Sequence, residues 1–221
     1  MSVLSARDGY RLWAPRYEAE TAVSFLENRV VETLDVETTN RALLDVGCGT
    51  GRRLRGVDAA LAVGVDLSFD MLSVAPRDQR LAAADARALP FAAEAFDAVW
   101  CRLMIGHVRD LDGVYAELSR VCRFGGAVIV TDLSAEAVAA GHRRTFHDAH
   151  GALHELEHFV HSPERQARSA REVGLELDVR RDGVVGPDIR HFYADAGRLQ
   201  AYDDQHGLPL VRALLWRKRV A

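Results

Sequence analysis

The sequence predicts an α/β fold built on a doubly wound, mostly parallel sheet, on three observations. The apolar run Leu43-Leu44-Asp45-Val46 reads as a short buried strand that enters a turn with glycine at every second position, Gly47, Gly49 and Gly51. Two further segments, Leu61 to Leu67 and Ala83 to Phe91, each bring an acidic residue, Asp66 and Asp85, to the neighbourhood of a strand end. Runs of strand character then alternate with runs of helical period, the order that builds a parallel sheet covered on both faces. With 221 residues, 48% of them apolar, the chain is sized for one substantial core, so a single domain over 1–221 is expected.

An N-terminal helical arm occupies 1–40. Ala19, Ala22, Val23, Leu26, Val30 and Leu34 recur at intervals of three and four, which predicts a helix over 16–34. Strand 43–46 then meets the glycine turn. Glycine removes side chains where backbone must approach a nucleotide-like molecule, so the bend is expected to bind a ligand. Its spacing is Gly-x-Gly-x-Gly, not the Gly-x-Gly-x-x-Gly of dinucleotide sites, and Asp45 precedes it. A carboxylate there repels a pyrophosphate and favours a ligand carrying ammonium and sulfonium charge.

The second strand, 61–67, follows Gly51 so closely that the intervening helix must be clipped. Ser68 is placed to cap a helix reaching about Ala75, which Pro76 ends. Phe96 to Cys101 is the next strand; Leu111, Val114, Tyr115, Leu118 and Val121 mark one face of a helix over 111–122, and a strand follows the Gly125-Gly126 turn through Val130. Ser162 with Pro163 opens a helix to about Val173, ahead of Gly174. Leu175 to Val179 and Leu210 to Trp216 read as the last two strands. Open parallel sheets bind ligands beyond the carboxyl ends of their strands, so Asp45, Asp66 and Asp85 are expected along one edge.

Taken in order over residues 40–133, these segments resemble the motifs of the class I S-adenosylmethionine (SAM) dependent methyltransferases, in particular the small-molecule type 11 group. The resemblance implies a Rossmann-like, mostly parallel seven-stranded sheet with an antiparallel last strand. It implies SAM as cofactor, with Asp66 on the ribose hydroxyls and Asp85 on the adenine amino group. The implied cofactor shell is Tyr17, Asp45, Gly47, Cys48, Gly49, Gly51, Asp66, Leu67, Met71, Asp85, Ala86, Arg102 and Leu103. An N-terminal aromatic, Tyr17 or Trp13, covers the methionine end, or else anchors the arm. Phe124 stands where the family commonly has proline, a departure that touches a turn. His107, in the loop after strand 96–101, is the candidate general base because imidazole titrates near neutrality; the alternative is that it packs the loop. Arg102 faces the SAM carboxylate, faces an acidic acceptor, or is exposed, and Asp132 either faces the acceptor or caps the next segment.

Six of the nine histidines fall between His142 and His161, and His154-Glu155-Leu156-Glu157-His158 satisfies the zinc-protease pattern. That pattern needs a helix. Gly151 lies just upstream, the neighbours fit an extended segment nearly as well as a helix, no third ligand stands at a spacing the pattern supplies, and on a strand the two imidazoles stand roughly 13 Å apart, too far to share a metal. No metal is expected. Segment 134–162 resembles instead the family's insertion that walls the acceptor site. Segment 183–207, with Pro187, His191, Phe192, Tyr193, Tyr202 and His206, is too long for a hairpin loop and reads as a second lid.

A formal net charge of -4 and no long Lys/Arg block leave no electrostatic footprint for nucleic acid. The N-terminus lacks an apolar signal core and no run approaches the roughly 18 apolar residues of a bilayer span, so a cytoplasmic protein is expected. Cys48, Cys101 and Cys122 are odd in number and unpaired in spacing, which points to reduced thiols. The function expected is methyl transfer from SAM to an oxygen, carbon or nitrogen of a small organic metabolite by a monomer or homodimer. The alternatives are a SAM-fold enzyme that catalyses cyclisation, and a non-catalytic SAM-binding subunit.

Overall fold

The computed structural model describes residues 2–219. Strand β1 (Ser2–Leu4) leads into helix α1 (Ala6–Trp13), a 3-10 turn at Ala14–Arg16, and helix α2 (Ala22–Glu32). The single helix expected over 16–34 is therefore confined to α2. Its start is set by Thr21, whose hydroxyl accepts from the Ser24 amide while Ser24 Oγ accepts from the Thr21 amide. This reciprocal cap satisfies first-turn donors that nothing else reaches.

The sheet then forms. β2 (Ala42–Val46) runs into the glycine turn, and the clipped helix after Gly51 is reduced to a 3-10 turn at Arg52–Leu54. β3 (Leu61–Asp66), α3 (Phe69–Ser73), β4 (Leu81–Ala83), β5 (Phe96–Arg102), α4 (Leu111–Val121) and β6 (Cys122–Leu133) follow. α3 is capped by Ser68 and α4 by Asp110, whose side chain accepts from the Gly113 amide. β6 begins earlier than the Gly125-Gly126 turn implied. Gly126 packs so closely that a Cβ there would lie 2.7 Å from Cys122 Sγ and 2.8 Å from the Asp97 carbonyl oxygen, and Phe124 is an exposed strand residue with Lys218 Nζ 4.5 Å above its ring.

Beyond β6 come α5 (Ala135–Ala139), β7 (Thr145–His147), β8 (Leu153–Leu156), α6 (Pro163–Glu172), β9 (Leu175–Val184), α7 (Arg190–Asp195), α8 (Leu199–Gln205) and β10 (Pro209–Lys218). The seven-stranded sheet has the order β4-β3-β2-β5-β6-β10-β9, parallel through β6, with β10 antiparallel to both neighbours. Strand alternation divides its side chains cleanly. Leu44, Val46, Val99, Cys101, Val128, Val130 and Trp216 face the layer of α4 and α6, and Leu43, Ala98, Trp100, Ala127, Ile129 and Leu215 face α2. β9 runs five residues past the apolar stretch expected, because its Arg180, Arg181 and Asp182 lie on an edge strand where the ladder to β10, not burial, holds the backbone.

The two insertions differ. In 134–162, β7 and β8 form a hairpin, and β1 joins it parallel to β8 with Ser2 opposite His154 and Leu4 opposite Leu156. The N-terminal arm and this insertion thus make one small three-stranded sheet. Segment 183–207 does not cover the cleft described below. It folds into α7 and α8, buries Tyr193 and Tyr202 in a core of their own with Val185, Ile189 and Leu210, and sets Phe192 5.7 Å from Phe25 of α2. The aromatics that suggested a lid are consumed by packing this helical pair.

Leu118 of α4 is fully buried in the main core. Leu118→Ala should cost about 2–5 kcal/mol of stability, read as a lowered urea midpoint with unchanged m-value.

Candidate functional site

A cleft opens at the carboxyl ends of β2, β3 and β5, and the N-terminal arm closes one side of it. Its wall combines Gly47 and Gly49 of the turn, Asp66 and Leu67 after β3, Met71 of α3, Asp85 and Ala86 after β4, Arg102 to Met104 after β5, His107, and Tyr10 and Tyr17 from the arm. The floor is bare backbone by necessity. Gly47 has φ +76° and a Cβ there would lie 2.2 Å from Met104 Cγ; at Gly49, φ +60°, it would approach Met71 Cε to 3.1 Å. Both positions are left-handed, where L side chains are strained as well as crowded.

Asp66 holds the turn in shape. Its Oδ2 accepts from the Gly49 amide at 2.8 Å and its Oδ1 from the Ser68 amide at 2.8 Å. Burial raises its pKa, and these backbone donors oppose the rise. A carboxylate has about four lone-pair sites, so both oxygens keep acceptor capacity for a ligand hydroxyl. Asp85 stands at the outer end of the cleft, clamped by Arg87 through Nε to Oδ1 at 3.0 Å and Nη2 to Oδ2 at 2.6 Å.

Other expected residues do not reach the cleft wall. Asp45 is fully buried, since on β2 it points to the α2 side while Val46 and the glycines face the opening; among the described residues neither of its oxygens has a hydrogen-bond partner. Burial pushes its carboxyl up to about 6, with Arg53 and Arg102 pulling the other way. Cys48 is buried with its Sγ against the place a Gly64 Cβ would occupy, and Gly51 lies past the floor, where a Cβ would strike Gln79. These three shape the turn from beneath.

Arg102 is not exposed. Its guanidinium, 6% exposed, donates through Nε to Glu27 Oε1 at 2.8 Å and through Nη2 to Glu27 Oε2 at 2.9 Å and Asn28 Oδ1 at 2.7 Å, and it lies 5.1 Å from the Trp100 ring centroid. Glu27 also accepts from Thr131 Oγ1 at 2.8 Å and meets Arg53 at 3.3 Å. Its burial opposes ionisation, yet Arg53 and Arg102 outweigh that and hold the carboxyl down at about 2. Sequence reasoning passed over Glu27, although the signal was present: an acidic residue at the centre of α2's apolar stripe, between Leu26 and Val30.

Of the two arm aromatics, Tyr17 lines the cleft and Trp13 anchors the arm, stacked on Phe146 of β7 at 5.0 Å. Tyr10, not singled out from the sequence, also reaches the cleft. Its hydroxyl lies 2.8 Å from His107 Nε2, and His107 Nδ1 lies 3.3 Å from the Glu157 carbonyl oxygen. Burial pushes His107 down to about 3, with Arg144 acting in the same direction and Asp132 against it. Behind it His158 Nε2 is 3.1 Å from Asp132 Oδ1, and Arg144 pairs with the same carboxylate. Asp132 therefore binds an insertion histidine and does not cap the segment after β6; that cap is Ser134. His154 lies on β8 and bonds Asp148 Oδ2 at 3.0 Å, so the two histidines of the zinc-protease pattern are directed at different carboxylates.

Residues 44–130 match the family model described as a methyltransferase domain. The chain is 36% identical over 129 residues to the malonyl-[acyl-carrier protein] O-methyltransferase of Salmonella typhimurium, covering 54% of this chain and 50% of that protein. It is 35% identical over 100 residues to the demethylmenaquinone methyltransferase of Roseiflexus castenholzii, covering 41% and 42%. The chain spans about half the length of the curated relatives it matches. The fold is shared with an S-adenosylmethionine dependent methyltransferase from Mesorhizobium loti, at TM-score 0.67 and 17% identity over 87% of this chain and 97% of that one. It is also shared with the [4+2]-cyclase SpnF, at TM-score 0.66 and 20% identity over 100% and 99%.

Replacing Glu27 by Gln leaves two buried guanidiniums facing a neutral amide and should destabilise the protein by about 3–5 kcal/mol at pH 7. Because the folded carboxyl titrates near 2 against an ordinary 4.5, the wild-type advantage is complete above 4.5 and is lost as pH falls from there through 2. Urea unfolding of both proteins across that window should show the gap closing; a gap independent of pH would contradict it.

Proposed function

We propose that this chain, whose residues 44–130 match a methyltransferase domain, transfers the methyl group of SAM to a small organic metabolite. The observation that carries this reading is the bare glycine floor at Gly47 and Gly49 tied to the Asp66 carboxylate in the cleft wall. Such a floor admits the backbone-close approach of an adenosyl group, and Asp66 is the acceptor a ribose diol requires. Leu67 and Met71 supply apolar contact beside it, with Asp85 and Ala86 at the adenine end. Tyr17, Leu103 and Arg102 are assigned to the methionine end, where Arg102 offers a cationic group of the cleft wall to a carboxylate. The buried charge of Asp45 beneath the turn adds negative potential that suits a cationic ligand and disfavours a pyrophosphate.

SAM supplies an already activated methyl group on a sulfonium. The chain then has to bind it, align the acceptor and exclude water. The relatives' names give oxygen methylation of a malonyl group carried on acyl-carrier protein in one and methylation of a demethylmenaquinone in the other. We extend only the class to this chain: an oxygen, carbon or nitrogen nucleophile of a small metabolite, without nucleic acid, methylated in the cytoplasm by a monomer or homodimer. Among the described residues no helix is long and apolar enough to cross a membrane.

The test is twofold. Calorimetry should show binding of SAM and of S-adenosylhomocysteine, weakened in Asp66→Ala by about 1–3 kcal/mol, roughly 5- to 150-fold. A panel of small hydroxyl, enol and amine acceptors should release S-adenosylhomocysteine in stoichiometry with methylated product. Absence of binding to either cofactor form overturns the proposal, and turnover that yields an unmethylated product replaces it with a non-transfer reaction.

A further inference from the structure

Tyr10 and His107 come from separate parts of the chain, one from the N-terminal arm and the other from the 3-10 turn at Ile105–His107, and meet at the cleft wall. Their contact has a direction. The Glu157 carbonyl oxygen can only accept, so the His107 nitrogen facing it, Nδ1, carries the hydrogen. Nε2 is then a bare lone pair, and the 2.8 Å bond to Tyr10 is donated by the phenol. The phenol oxygen keeps its own lone pairs for a donor from the cleft. Both rings are held in place: Tyr10 stacks on Trp13 at 5.8 Å, Trp13 on Phe146 at 5.0 Å, and the Gly106 carbonyl beside His107 accepts from the Phe159 amide at 2.7 Å.

We propose that Tyr10 is a catalytic residue: its phenol oxygen takes the proton of a hydroxyl acceptor while passing its own proton to His107 Nε2. This rests on the methyltransferase reading above and names the acceptor class for the same site, a hydroxyl compound. The balance is complete. The acceptor oxygen gains the methyl carbon as the donor's S–CH3 bond breaks, the bond pair stays on sulfur, and the acceptor's proton passes to the Tyr10 oxygen as Tyr10's proton moves to the imidazole. One positive charge leaves sulfur and one appears on His107, so the net charge of the enclosed site does not change. No second co-reactant is needed.

The surroundings act on both halves of that cycle. Groups facing His107 are Tyr10 from α1, Glu157 (through its carbonyl) and His158 after β8, Asp132 of β6 and Arg144 ahead of β7. Burial and Arg144 keep the resting imidazole neutral at physiological pH, ready to accept. Asp132, held ionised by Arg144 and His158, and the Glu157 carbonyl favour the transient imidazolium, against burial, Arg144 and His158, whose ring centroid lies 6.3 Å from that of His107. After product leaves, the same burial returns the proton through Tyr10 toward the cleft. His158 and Asp132 act on the reaction only through His107 and are positioning residues.

The experiment uses the full chain saturated with S-adenosylhomocysteine, followed by long-range proton–nitrogen NMR of the His107 imidazole. The Nδ1–H tautomer should persist from pH 6 to 8, and Tyr10→Phe should shift the Nε2 resonance while leaving Nδ1 protonated. An Nε2–H tautomer, or an Nε2 resonance indifferent to Tyr10→Phe, overturns the proposal. With a hydroxyl acceptor from the panel, Tyr10→Phe and His107→Gln should each lower kcat about 100-fold or more with the KM for SAM little changed. The double variant should be no slower than His107→Gln alone, since the two groups act as one unit. Additive losses, unchanged kcat in Tyr10→Phe, or a loss confined to SAM affinity would each assign Tyr10 to packing or cofactor binding. If the wild-type chain binds neither cofactor form, the methyltransferase reading fails, whereas the tautomer and its response to Tyr10→Phe, recorded on the chain without added cofactor as well, test the dyad separately.

Discussion

The constraint on which the site depends is the tie between two strand ends: the Asp66 carboxylate after β3 accepting the Gly49 amide of the turn after β2 and the Ser68 amide that starts α3. β2 and β3 are parallel neighbours, so their carboxyl ends emerge side by side and one carboxylate spans both turns. Without side chains at Gly47 and Gly49 the turn approaches Met104 and Met71 closely, and what remains open above it is the cleft. A carboxylate that already organises backbone is preorganised for a ligand, since little reorders when a hydroxyl is added to its remaining lone pairs.

Beneath this floor lies an unusual density of buried charge. Asp45, Glu27, Arg53 and Arg102 meet on the α2 side of the sheet, with Thr131 and Asn28 completing the hydrogen bonds of Glu27 and Arg102. Burying ion pairs in this way is rarely the most stabilising arrangement available, because desolvation offsets most of the attraction. Here the pairs fix the guanidinium of Arg102 at the cleft wall and leave Asp45, among the described residues, without a hydrogen-bond partner under the turn. The charges make sense as site architecture more than as core.

Above the floor, the cleft wall around His107 is built from two parts of the chain that are far apart in sequence. β1 adds to the β7–β8 hairpin, Trp13 stacks on Phe146, and together they carry Tyr10 to His107 while His158 and His161 bond Asp132 and the Val108 carbonyl. Most of the clustered histidines are thereby individually engaged: His142 with Gln205, His154 with Asp148, His158 with Asp132 and His161 with Val108. Their crowding in sequence reflects an insertion that fastens itself to the cleft wall at several points.

The glycine spacing, the acidic residues at strand ends and the alternation of strand with helix were legible in the sequence because each is a local requirement: φ above zero, a short apolar run, a 3.6-residue period. They determined the sheet and the cleft wall at Gly47, Gly49, Asp66, Leu67, Met71, Ala86 and Leu103. Only the tertiary structure decided that Asp45 and Cys48 lie under the turn, because strand alternation assigns faces that two helical layers must then define. It also decided that Glu27 holds Arg102, that Tyr193 and Tyr202 pack a helical pair and do not close the cleft, and that Tyr10 reaches His107. Each of those is a contact between residues 9 to 97 positions apart, or between one residue and a whole core. Partners at such separations are chosen by how the layers pack, and no local spacing encodes that choice.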